Sequence, residues 1–248
     1  MPELSVPPRS ATVSELLEAA TRIFRRTLAK TLPLGMFAIL LVALPNFYWL
    51  TTGKPLDVLH PPMDTRFWVL AAVGFVGYEW LAAALMVRQR DLLSGRAPDL
   101  GRDLATASAR LATLVVSAVL GWLLVFVGTL ALVVPGVYAL VCLLLLQPVV
   151  LFDTRDPLRA VTRSFSLARP MWVKVMASAV IALLVFMICA FAAAACLGIV
   201  ESLLIIAGLQ PAAVSALSAA CGLGVQAVAL VYFNALWLVL YTTASSSA

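Results

Sequence analysis

Residues 111–152, LATLVVSAVLGWLLVFVGTLALVVPGVYALVCLLLLQPVVLF, run for 42 positions without one charged side chain. A helix rises about 1.5 Å per residue and a bilayer's hydrocarbon core is about 30 Å thick, so roughly 20 residues make one crossing. The stretch therefore reads as two crossings folded back on each other. Pro135-Gly136 marks the expected turn, because proline lacks a backbone N–H and glycine relaxes the backbone.

Working outward, four more apolar stretches appear at 31–50, 67–87, 171–200 and 212–241, beside 111–134 and 137–152. Gly208-Leu209-Gln210-Pro211 separates the last two. With 63% hydrophobic and 12% charged residues and a mean hydropathy of +1.03, the chain has too few polar side chains to coat a soluble globule of 248 residues. The expected fold is all-α: a polytopic membrane bundle of six transmembrane helices with amphipathic interfacial helices.

Cations fix the expected orientation. Arg9, Arg22, Arg25, Arg26 and Lys30 precede the first span, and Arg88, Arg90, Arg96, Arg102 and Arg110 join the second to the third. Arg155, Arg159, Arg163, Arg169 and Lys174 join the fourth to the fifth, so 15 of the 17 Lys and Arg residues lie on one side. Only Lys54 and Arg66 lie on the other, offset by Asp57 and Asp64. The positive-inside rule then places both termini in the cytoplasm. Cations at membrane boundaries point to anionic lipid headgroups as partners, not to nucleic acid. A protein partner or a second copy of the chain is left open.

Amphipathic helices are expected ahead of the odd-numbered spans. Thr12 and Glu15 have capping-box spacing, and Val13, Leu16, Leu17, Ala20, Ile23, Phe24 and Leu28 follow a helical stripe. Asp99 and Asp156-Pro157 start two further elements, with aspartate as N-cap and proline in the first turn. Arg22, Arg25, Arg26, Arg159, Arg163 and Arg169 flank these stripes and are the expected contacts to anionic lipid. Such helices should lie in the headgroup plane, apolar face down. The single domain, 1–248, parses into three parallel units of amphipathic helix plus hairpin, at 12–90, 99–152 and 156–241.

Inside the spans, Glu79 is the one deep charge, lying about twelve residues below the outer end of its helix. Gln147 and Gln226 lie at about the same depth, within roughly 6 Å at 1.5 Å per residue. The three are expected to form an intramembrane polar cluster. With no cation at that depth, Glu79 is expected to stay protonated, because an unpaired charge there costs several kcal/mol. Asn234 is a second candidate for an interhelical hydrogen bond. Ala190, Ala194 and Gly198, then Ala216, Ala220 and Gly224, have the spacing of close helix contacts, and Gly74 and Gly77 are expected to pack helices. Pro148 should kink the fourth span. The four cysteines fall in spans and read as small buried hydrophobes.

Catalytic constellations are missing. His60 is the lone histidine, in the outer loop, so neither a two-histidine metal site nor a Ser–His pair at membrane depth can form. No catalytic residue, metal or cofactor is expected.

Three stretches carry a resemblance. Ser14 to Ala20 with Phe24-Arg25-Arg26, then Val134-Pro135-Gly136-Val137-Tyr138, then Asp156 to Leu167 with its Ser-aromatic-x-Leu core resemble the YciC-like family of bacterial six-span proteins. They are also similar to the membrane domain fused to some glycerophosphodiester phosphodiesterases. Arg169-Pro170 departs from the basic residue and glycine expected there, and the end of the chain lacks a charged tail. The resemblance implies a bacterial inner-membrane location and a role in envelope maintenance, with no hydrolase activity and no catalytic residues. Two readings follow. The first is a non-enzymatic structural or accessory protein acting through lipid or partner contacts at its cytoplasmic face. The alternative is a small transporter or lipid-handling carrier with a polar site around Glu79. A closed, dry bundle would favour the first, and a cleft reaching Glu79 the second.

Overall fold

A computed structural model of the protein describes residues 7–51 and 64–246. His60, Lys54 and Asp57 lie outside the described residues. Among those described there is no strand, and nine α-helices follow in order. They are α1 Val13–Thr51, α2 Thr65–Leu93, α3 Leu100–Ser108, α4 Leu111–Ala131, α5 Val133–Leu143, α6 Leu146–Phe152, α7 Pro157–Ala168, α8 Trp172–Ile206 and α9 Pro211–Ser245. Six stretches are long and apolar enough to cross a membrane: Val13–Trp49, Thr65–Leu93, Leu111–Ala131, Val133–Phe152, Pro157–Ile206 and Ala213–Ser245. The chain is an all-α, multi-pass membrane protein.

Helix starts follow local chemistry. The Thr12 amide donates to Glu15 Oε2 at 2.7 Å and the Glu15 amide to Thr12 Oγ1 at 3.4 Å, a reciprocal capping box. Asp99 Oδ1 accepts from the amides of Gly101 and Arg102, and Asp156 Oδ1 from those of Leu158 and Arg159. Between α8 and α9, Gly208 has φ +90°, a left-handed turn conformation that a side chain would strain, and Pro211 then opens α9.

Three expectations change. The N-terminal amphipathic segment is not a separate helix on the membrane surface, because α1 continues through Pro33 and Pro45 for 39 residues, roughly 58 Å. Of its stripe, Leu16, Ala20 and Ile23 are buried inside the protein's own core, with Ala19 beside them. That core also holds Leu236, Val239 and Leu240 of α9, and Phe24 meets Tyr232 edge to face. Secondly, the turn between the third and fourth spans falls at Leu132, with extended backbone, and Pro135 sits inside the first turn of α5. Proline is tolerated there because the first helical N–H groups have no acceptor. Gly136 serves the hairpin differently: a Cβ on it would meet Thr129 Cα at 2.8 Å, so its smallness brings α4 and α5 together. Thirdly, the fourth span is broken rather than kinked. Pro148 cannot bond the Leu144 carbonyl and its ring crowds it, and α5 ends at Leu143 while α6 begins at Leu146.

Close packing uses other small residues than the alanine stripes. A Cβ on Gly74 would meet the Leu41 carbonyl oxygen at 2.5 Å, and one on Gly77 would meet Leu41 Cδ1 at 2.6 Å, so α1 and α2 touch there as expected. Gly198 and Gly224 face open space, and Ala194, Ala216 and Ala220 are exposed. Cys189 and Cys196 are exposed as well, leaving Cys142 as the buried cysteine. From Leu184 to its C-terminal end α8 turns Leu184, Ile188, Phe191 and Ile206 outward, an apolar surface suited to lipid contact.

The basic connections gather at one end. Lys174 Nζ donates to the carbonyls of Arg9 and Ala11 at 2.7 and 2.9 Å, and an Arg9 guanidinium N–H donates to the Ala244 carbonyl. Arg88 Nε lies 2.7 Å from Asp103 Oδ2, and Arg88 Nη1 donates to the Lys30 carbonyl at 3.1 Å, clipping α2 to α3 and α1.

Candidate functional site

Toward the middle of the bundle, α2, α4, α5, α6 and α9 part around a cavity of about 590 Å³. Its volume falls in the usual range of ligand pockets, about 300–1,000 Å³. Glu79 of α2, Gln147 of α6 and Gln226 of α9 all line it, joined by Asn234 of α9 and Ser117 of α4. Matched depth thus brings the three expected residues to one space. No hydrogen bond links them among the described residues, so they are a lining and not a network.

Two further side chains raise the chemical interest of this space. Ser117 is 1% exposed and Asn234 is 2% exposed, and neither Ser117 Oγ nor Asn234 Nδ2 has a hydrogen-bond partner. A buried polar group without a partner costs about 1–3 kcal/mol. Both line the cavity, where an occupant could satisfy them. Asn234 was visible in the sequence as a polar residue in a span. Ser117 gives a weaker signal, a lone hydroxyl within the apolar run Leu114-Val115-Val116-Ser117-Ala118-Val119-Leu120.

The remaining walls are apolar and aromatic, including Leu143, Phe186, Phe233 and Trp237. Trp122, Leu140 and Gln226 line the cavity and are also exposed, Trp122 at 63%, so the space communicates with the outside of the bundle on the lipid-facing flank. No cation lines it. Its polar inventory is one carboxyl, three carboxamides, the Ser117 hydroxyl, the Tyr78 phenol and the indoles of Trp122 and Trp237, set among hydrocarbon. Such a site suits a molecule with an uncharged hydroxyl- or amide-bearing head and an apolar chain, and disfavours an anionic head.

Of the basic residues expected to touch lipid, Arg22, Arg25 and Arg26 are exposed on α1, and Arg169 is exposed beside α7. Arg159, with its side chain 83% exposed, lies 3.5 Å from Asp156. Arg163 lies 3.4 Å from Asp153, whose other oxygen accepts from the Tyr241 hydroxyl at 2.6 Å. Arg163 is thus partly committed to holding α7 against α9. Among the described residues no group of three or more His, Cys, Asp or Glu side chains comes together.

No family model, no curated protein and no solved structure matches this chain.

Proposed function

We propose that this protein is a non-enzymatic carrier or binder of a membrane amphiphile with an uncharged, hydrogen-bonding head. It would work in the bacterial plasma membrane with both termini in the cytoplasm. The observation that carries the reading is the intramembrane cavity, whose lining holds two buried, unpartnered polar groups, Ser117 Oγ and Asn234 Nδ2, beside Glu79. A bundle that served only as scaffold would gain stability by replacing such groups with apolar ones. Their presence supports the carrier reading over the structural or accessory one. Orientation rests on the 15 of 17 cations on one side of the spans. The bacterial inner membrane and the YciC-like family rest on the sequence resemblance.

Asn234→Leu separates the two readings. Leucine is close in size to asparagine and has no N–H to leave unpaired, so the empty protein should melt at an equal or higher temperature. Binding of added dioleoylglycerol to the delipidated protein should weaken about tenfold, the equivalent of about 1.4 kcal/mol from one lost hydrogen bond. Wild-type binding by Asn234→Leu, measured by titration in detergent micelles, would overturn the role assigned to the cavity's polar groups.

A further inference from the structure

At the basic end of the bundle, α2, α6 and α9 part again, now with α1, around a second cleft of about 1360 Å³. It shares no lining residue with the intramembrane cavity. Arg26 and Lys30 of α1, Arg90 of α2, and Arg96 and Arg102 beyond it line the cleft, against the single carboxylate of Asp91. Asp91 is already engaged, with Arg96 Nη1 at 3.3 Å and Arg102 Nη2 at 2.9 Å. Arg26 and Lys30 are exposed and have no ion pair among the described residues. The Arg90 guanidinium carbon stands 4.2 Å over the centre of the Phe152 ring. That contact is a cation–π one, and a guanidinium so placed still has N–H groups to donate. Ile23, Val87, Leu151 and Leu238 form apolar wall in the same cleft.

We propose that this cleft is a binding site for an anionic phospholipid of the surrounding bilayer. The headgroup phosphate would sit among Arg26, Lys30 and Arg90, with part of an acyl chain along the apolar wall. Five cations against the one carboxylate of Asp91 leave strong positive charge, and Arg26 and Lys30 have no ion pair among the described residues. Guanidinium groups pair with phosphate through two parallel hydrogen bonds, so arginine is well suited to the rim. The cleft lies where spans end, at the depth of headgroups, and basic residues there attract anionic lipid. A soluble phosphate compound would meet the same rim and leave the apolar wall uncovered, which is why a lipid fits better. This inference is independent of the carrier reading, because the two sites differ in place and in the charge they select.

Native mass spectrometry of the full-length protein in detergent, with phosphatidylglycerol or phosphatidylcholine added, tests it. Wild type should retain phosphatidylglycerol in clear preference. Lys30→Gln/Arg90→Gln should weaken that binding about tenfold or more. Arg26→Gln/Lys30→Gln, which leaves the Arg90–Phe152 contact untouched, should show a comparable fall at an unchanged melting temperature. Arg155→Gln, exposed and outside the cleft, should bind as wild type. An equal fall in Arg155→Gln would mean diffuse attraction and overturn the site. Displacement of the lipid by inorganic phosphate alone at matched concentration would overturn its assignment to a lipid.

Discussion

Replacing Arg88 with methionine should destabilise the protein by about 3–5 kcal/mol, the usual cost of removing one partner from a buried ion pair. Asp103 is fully buried, its Oδ2 lies 2.7 Å from Arg88 Nε, and its Oδ1 has no partner at all. The carboxylate therefore depends on this one cation, and Arg88→Met strands it in a dry site. Arg88 also donates to the Lys30 carbonyl, so the same change loosens α1 from α2. Arg88→Met/Asp103→Leu should recover most of the loss, since replacing both charges by apolar groups of similar size is often neutral. Thermal unfolding in detergent measures both, and a single variant as stable as wild type would contradict the assignment of this pair as a clamp.

A second large effect is expected at Glu79. Lysine there would put a charge near the middle of α2, a cost of about 3 kcal/mol on insertion scales. No anion lines the cavity to compensate it once Glu79 itself is gone. Glu79→Lys should therefore fail to accumulate in the membrane, whereas Glu79→Gln, equal in size and uncharged, should accumulate as wild type. Membrane yield of tagged full-length protein reads this directly. If the Gln variant also lost carrier activity, the carboxyl would take part in transport; unchanged activity would make it part of the wall.

The sequence announced some of these features and concealed others, for physical reasons that differ residue by residue. Capping at Thr12, Asp99 and Asp156 was legible because a cap is settled within four residues of chain. Depth was legible too, since it needs only a residue count along a helix. That is why Glu79, Gln147 and Gln226 share one cavity. Azimuth around each helix was not legible, because it is set by packing between helices. The three residues accordingly line a space without a hydrogen bond between them among the described residues. Pro135 misled because proline belongs equally in a turn and in the first turn of the following helix. The alanine stripes of α8 and α9 misled because small residues permit close approach without requiring it. Gly74 and Gly136 differ in that a backbone atom of the neighbouring helix occupies the place a Cβ would take. The burial of the N-terminal stripe against α9 was hidden because an amphipathic pattern states that one face is apolar and not what covers it. The unpartnered state of Ser117 and Asn234 belongs to tertiary structure alone.

Photo-crosslinking with a diazirine-bearing diacylglycerol in lipid nanodiscs, followed by mapping of the adducts, tests the central claim most directly. A carrier cavity predicts adducts on its walls, at Leu143, Phe233 or Trp237, that unlabelled diacylglycerol competes away. Adducts confined to the outward-facing side chains of α8, such as Ile188, Phe191 and Ile206, and insensitive to competition, would contradict it.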